Sequence, residues 1–176
     1  MKKSIALLWL LVFSMPLSSQ TAPPATQLSE MKRLDYMVGQ WKGTGWIKQA
    51  GRRENFAGTE TIQSKLNGLA LLVEGKFKAK GAGKDEEVVI HETLAVLSYD
   101  ERAKMHRFRT YLANGITGDH EVKLIEGGWQ WGFQFPAGAI RYVVKVDRDQ
   151  WFETGEISQD GKTWRKFFEM TLNRVK

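Results

Sequence analysis

Residues 88–135 read VVIHETLAVLSYDERAKMHRFRTYLANGITGDHEVKLIEGGWQWGFQF. Four strands follow one another here: Val88–Tyr99, Lys104–Ala113, Ile116–Glu126 and Trp129–Phe135. Asn114-Gly115 and Gly127-Gly128 separate the last three. Such pairs suit two-residue hairpins, because both central positions tolerate positive φ. A tight turn also fixes register, so this stretch predicts which side chains face each other, not only that they are in strands.

Working outward, period-two alternation continues on both sides. It predicts Trp41–Gln49, Glu54–Leu66 and Leu69–Lys80 before the stretch, and Ala139–Asp147, Gln150–Ser158 and Lys162–Arg174 after it. Asn67-Gly68, Ala137-Gly138 and Asp160-Gly161 supply further turns. One short helix is predicted before Gly39, from the spacing of Leu28, Met31, Leu34 and Met37, with Ser29 as its N-cap. The fold class is therefore all-β: an up-and-down antiparallel β-barrel of about ten strands with a short N-terminal helix.

Composition agrees with one globular domain. The 176 residues are 42% hydrophobic and 26% charged, with 7 Trp, 9 Phe and 4 Tyr to fill a core. Two of the six net positive charges sit at Lys2 and Lys3, and the other bases alternate with acids, so no nucleic-acid partner is expected. Cysteine is absent, which excludes disulfides, thiolate metal sites and a cysteine nucleophile. Met1-Lys2-Lys3 followed by the apolar run Ile5–Leu17 reads as a signal peptide. That run is short of the ~20 residues of a membrane span, so no span is expected in the mature protein. The expected organisation is a signal peptide over 1–22, with cleavage between Ser18 and Ala25. A flexible N-terminus and the start of the helix follow over 23–33, and the barrel domain occupies 34–176. The expected location is secreted or periplasmic.

The turns give facing pairs. Across Asn114-Gly115, His120 faces Arg109 and Gly118 faces Tyr111. Across Gly127-Gly128, Leu124 faces Trp131 and His120 faces Phe135. Across Ala137-Gly138, Phe133 faces Tyr142, and across Asp160-Gly161, Glu153 faces Phe168. The stripe Trp129, Trp131, Phe133, Phe135 must point inward. The same parity sends Glu92, Arg107, Arg109, Tyr111, His120, Glu153 and Lys166 inward, with Glu60 beside Ile62, while His91 and His106 point out. Buried charges must pair or meet water, and a barrel of this size has room for a cavity.

Gly39-Gln40-Trp41, at the junction of helix and first strand, resembles the Gly-x-Trp signature of the calycin barrels, among them lipocalins, fatty-acid-binding proteins and nitrobindin-like proteins. In lipocalins the Trp closes the barrel base and a basic residue after the last strand stacks on it. Trp41 and Arg174 stand at those places and are the expected closure pair. Leu34–Gly43, Val73-Glu74-Gly75, Ser98-Tyr99-Asp100, Phe152–Glu156 and Glu169–Leu172 are similar to a family of secreted bacterial calycin-like proteins. The resemblance covers most of 34–174. It implies the barrel fold and no particular activity.

Glu92, Arg107, Arg109, Tyr111 and His120, walled by Phe133, Phe135 and Tyr142, form the candidate ligand site. A guanidinium fork beside a tyrosine hydroxyl suits a carboxylate or phosphate. The same charges could equally form an internal ion-pair network that stiffens the barrel. The three histidines do not predict a metal. Projected on one strand they span roughly 20 Å at ~3.3 Å per residue, too far for one zinc ion. No cofactor is expected, with one exception left open: a lone inward His120 as an axial haem ligand; nitrobindin-like proteins use one axial His, and His120 does not match that position. The sequence thus predicts a non-catalytic barrel binding a small amphipathic or acidic molecule. Two alternatives are an enzyme using His120 and Glu92 as acid and base, and a protein-interaction module with a filled barrel.

Overall fold

A computed structural model describes residues 24–49, 51–81 and 86–176. The proposed leader and its cleavage region, up to Pro23, lie outside the described residues. Helix α1 spans Ala25–Lys32, and short 3-10 turns occupy Asp35–Met37 and Leu66–Gly68. The strands are β1 (Gly39–Gln49), β2 (Arg52–Lys65), β3 (Ala70–Lys80), β4 (Glu87–Asp100), β5 (Met105–Leu112), β6 (Thr117–Ile125), β7 (Gly128–Phe135), β8 (Gly138–Val146), β9 (Gln150–Ser158) and β10 (Arg165–Arg174). Each pairs antiparallel with its sequence neighbours, and β1 pairs with β10, so the sheet closes into a ten-stranded barrel. No helix among the described residues is long and apolar enough to cross a membrane.

The helix starts earlier than its sequence signals suggest. Pro24 holds the N-cap position and Ser29 lies inside the helix, its hydroxyl donating to the Thr26 carbonyl. Met31, Leu34 and Met37 bury against one end of the barrel with Trp41, Leu71, Leu97, Trp151 and Leu172. That end is the packed core. The opposite end, where β7 delivers Phe133 and Phe135, is the mouth.

Register decides what faces inward, and one turn differs from its reading. Leu112 and Ile116 close a three-residue loop, with Leu112 N–H donating to the Ile116 carbonyl and Gly115 N–H to the Leu112 carbonyl. Gly115 takes φ +87° while Asn114 does not take positive φ. This is the type I turn with a glycine bulge, not the two-residue primed turn. The extra residue places His120 opposite Phe108 rather than Arg109. A one-residue slip turns every side chain of a strand to the other face, so β5 and β4 are inverted relative to the sequence reading. Glu92, Arg107, Arg109 and Tyr111 face outward; His91, Thr93, His106, Phe108 and Thr110 face inward.

The hairpins at Gly127-Gly128 and Ala137-Gly138 keep parity and shift by two residues. Ile125 pairs with Gly128 and Phe135 with Gly138, so Trp131 faces Val122 on one side and Tyr142 on the other. Glu153 faces Met170 rather than Phe168. A bulge between Lys166 and Phe168 turns Lys166 outward, where it pairs with Glu169 at 2.7 Å.

Candidate functional site

The closed end is held by three residues from the two chain ends. Trp41 is fully buried and its indole N–H donates to the Met37 carbonyl at 2.9 Å. The Arg174 guanidinium lies over the Trp41 ring at 4.0 Å and donates to the carbonyls of Val38, Tyr36 and Arg148 at 2.6, 2.7 and 2.8 Å. Gly39 makes this possible. Its φ is +141°, and a Cβ there would lie 2.5 Å from Arg174 Nη1. The Gly-x-Trp spacing thus has a physical basis: glycine admits the guanidinium and tryptophan receives it.

Above this floor the interior holds two carboxyls. Glu60 on β2 and Glu153 on β9 are each 9% exposed. The Glu60 carboxyl rests against Gly75, where a Cβ would approach Oε1 at 2.7 Å, and its Oε2 has no hydrogen-bond partner. Glu153 accepts from the Trp151 indole at 3.2 Å. Burial pushes the Glu60 carboxyl up to about 8, with the Glu153 charge adding to it. Burial likewise pushes Glu153 up to about 7, against the pull of the Trp151 N–H. Burial and the Glu153 charge also raise the Tyr142 phenol.

Toward the mouth the interior becomes aromatic. Phe77 meets Phe56 edge-on at 5.4 Å, Phe56 stacks on Phe168 at 5.7 Å, Phe168 meets Tyr142 at 5.9 Å, and Tyr142 stacks on Trp131 at 4.5 Å. Trp131 then meets His120 at 4.9 Å, and His120 meets Phe133 at 5.6 Å. His91 extends the belt from Phe77 at 5.5 Å. The belt therefore runs through β4, β3, β2, β10, β8, β7 and β6. Inward glycines make room for it: a Cβ at Gly45 would meet the Phe56 ring at 2.4 Å, one at Gly58 the Phe77 ring at 2.3 Å, and one at Gly118 the His120 Nε2 at 2.2 Å.

His120 is half-buried, with Nε2 3.3 Å from the Thr110 hydroxyl. Burial holds its pKa below the usual histidine value, opposed by the Asp119 charge. His91 at the mouth is lowered by burial as well. His106 sits at the closed end against the Glu30 carbonyl at 3.2 Å. The inward facing of His91 and His106 corrects the sequence reading. Among the described residues, no three His, Asp or Glu side chains gather into a metal-binding group.

The structure thus splits the sequence-predicted site. His120, Phe133 and Tyr142 come together in the belt, and Phe135 lies at the rim, 6.5 Å from Phe133. Arg107 and Arg109 instead pair on the outer face with Asp119, at 2.9 and 3.6 Å, and Arg109 also donates to Ser98. The Arg107 hydrogen bond holds the Asp119 carboxyl below its ordinary range. Glu92 pairs with Lys76 at 3.0 Å. Glu92 and Tyr111, the latter 47% exposed, line an outer groove of about 510 Å³ with Thr59, Thr61 and Lys76. Glu92 and His120 stand on opposite faces of the sheet, so they cannot act as one acid–base pair. The arginine anchor for an acidic ligand has no place inside.

Sequence reading left Phe56, Phe77, Thr110, Trp131 and Phe168 out of the site. A signal for them exists. Gly43 and Gly45 stand two apart on β1, with Gly58 on β2 and Gly75 on β3, so inward glycines cluster on three adjacent strands and mark a wall with side-chain space in front of it.

No protein-family model matches the chain, and no curated protein matches it. Solved structures that share its fold include the following two. Rv2717c from M. tuberculosis superposes with a TM-score of 0.61 at 14% identity, over 83% of this chain and 97% of that one. The S-type phycobiliprotein lyase CPES from Guillardia theta superposes with a TM-score of 0.53 at 12% identity, over 85% of this chain and 93% of that one. At these identities the likeness is one of fold alone.

Proposed function

We propose that this protein is an exported barrel, secreted or periplasmic, that holds a small amphipathic molecule in its interior without changing it chemically. The carrying observation is the aromatic belt set above a buried carboxyl, Glu60, whose Oε2 has no partner. A buried polar atom without a partner is uncommon in a folded protein, and a ligand's polar end would supply one. The belt gives the apolar body a wall, the usual division of labour in a small-molecule site. A barrel of this fold is compatible with small-molecule binding, and a phycobiliprotein lyase is among the similar structures. Export rests on the leader-like sequence and on the resemblance to secreted bacterial calycin-like proteins. The ligand is amphipathic rather than acidic, because Arg107 and Arg109 are committed to Asp119 outside.

Titration with 1-N-phenylnaphthylamine, a neutral fluorescent probe, tests the reading. One-to-one uptake is expected, weakened at least tenfold by Trp131→Ala and unchanged by Arg109→Ala. Absence of saturable uptake, or uptake indifferent to Trp131→Ala, would refute it.

The filled-barrel interaction module keeps one observation in its favour. Val88, Val89, Ile90, Leu94 and Tyr111 expose apolar surface along β4 and β5. Saturable uptake of the probe into the interior would decide against it.

A further inference from the structure

We infer that the interior site selects an organic cation, its ammonium group seated at the Glu60 and Glu153 carboxyls and its apolar body lying against the ring belt. This rests on the ligand-holding reading above and names the class of molecule held.

Three observations carry it. First, the two interior carboxyls above the closed end are incompletely paired. Glu60 Oε2 has no partner, and Glu153 has only the Trp151 indole. Among the described residues no lysine or arginine pairs with either. The cation at the closed end, Arg174, is taken up by three carbonyls and the Trp41 ring. A buried carboxylate without a counter-charge is costly, so the charged form awaits one.

Second, both carboxyls face the interior: Glu60 stands level with Trp41 of β1, and Glu153 stands level with Met170 of β10, itself level with Gly45 of β1. The Glu153 charge reaches Glu60 strongly enough to shift it.

Third, the wall above the carboxyls is the surface an organic cation prefers. Phe56 and Phe168 stack as one pair, Tyr142 and Trp131 as another, and Phe168 meets Tyr142 edge-on, so the rings form one continuous series; cation–π attraction to such rings strengthens when the site is dry. A hard divalent ion fits poorly, since it needs six or more oxygen ligands. A carboxylate ligand would face two acids.

Occupancy is linked to protons. Below about pH 7 both carboxyls hold theirs, and seating an ammonium ion must expel at least one. The titratable groups that share the interior are Glu153 on β9, Tyr142 on β8, His91 on β4, His106 on β5 and His120 on β6, with Arg174 on β10 at the closed end. Burial lowers the pKa of all three histidines, which disfavours a competing positive charge there.

The experiment is isothermal titration of the mature chain with three eight-carbon probes, octylammonium, octanol and octanoate, at pH 6.0 and 8.5. The expected result is octylammonium binding at least tenfold tighter than octanol at pH 8.5, with octanoate weakest. The preference should fall about tenfold or more at pH 6.0, with proton release visible as a dependence on buffer ionisation heat. Glu60→Gln should remove the preference for octylammonium over octanol, with circular dichroism showing that the variant is folded. Equal binding of octylammonium and octanol at pH 8.5 would overturn the cation inference and leave the ligand-holding reading standing. Failure of all three probes to bind or to displace 1-N-phenylnaphthylamine would overturn this inference alone if that dye still binds. It would overturn both readings if the dye does not bind.

Discussion

Replacing Glu60 by Gln should stabilise the barrel at alkaline pH and change the shape of its stability profile. The side chain is nearly isosteric, and it lies in a fully buried position against Gly75. In the folded protein the carboxyl is raised from 4.5 to about 8, first by burial and then by Glu153. Below pH 4.5 folded and unfolded states both hold the proton, and the group makes no difference. Between 4.5 and about 8 the unfolded chain releases it while the folded chain keeps it. Unfolding free energy then falls by up to 1.36 kcal/mol for each pH unit. The wild type should therefore lose on the order of 3–5 kcal/mol relative to Glu60→Gln across this window, with the slope ending above pH 8. For a domain of this size each kcal/mol moves Tm by about 2–4 °C. The difference in Tm between variant and wild type should grow by roughly 10 °C from pH 5 to pH 8.5. Urea denaturation and scanning calorimetry at half-unit steps measure it. Parallel profiles for the two proteins, or a variant less stable than wild type at pH 8.5, would refute the placement of Glu60 as a buried acid.

Three further outcomes follow from the geometry. Gly39→Ala should destabilise the protein by about 2 kcal/mol or more, because the backbone is in the positive-φ region and the new Cβ would collide with Arg174 Nη1; chemical denaturation checks this. Arg109→Ala should change stability by less than about 1 kcal/mol, since its pair with Asp119 lies on the exposed outer face, where such pairs contribute little. A loss of 3 kcal/mol or more in thermal melts would restore the buried network that the sequence suggested. In the producing cell, N-terminal sequencing of the exported protein should find a start between Ser18 and Ala25, and an intact Met1 in that fraction would contradict export.

Most of the architecture was legible because hydrophobic alternation and turn chemistry act locally. The ten strands, the closure of the sheet and the inward facing of β6 to β9 follow from them. The site was only half legible, and the reason is a single residue at Asn114-Gly115. Both a primed two-residue turn and a type I turn with a glycine bulge accept this pair, and they differ by one residue of register. Sequence alone gave no ground for choosing between them. The choice inverted β4 and β5, which moved Arg109 and Glu92 outside and brought His91 and Thr110 in. The bulge before Phe168 had the same effect on Lys166. The belt was hidden for a different reason. Rings meet across strands that are distant in sequence, such as Phe56 with Phe168, and their contacts depend on glycines opposite them.

The central claim is that the interior holds a small amphipathic molecule against the belt. Native mass spectrometry of the protein taken from its producing cell's exported fraction tests it most directly, with Trp131→Ala/Phe168→Ala prepared in parallel. A one-to-one adduct is expected on the wild type, released by denaturation and absent from the double variant. The bare polypeptide mass on the wild type, with no adduct acquired on incubation with 1-N-phenylnaphthylamine, would contradict it.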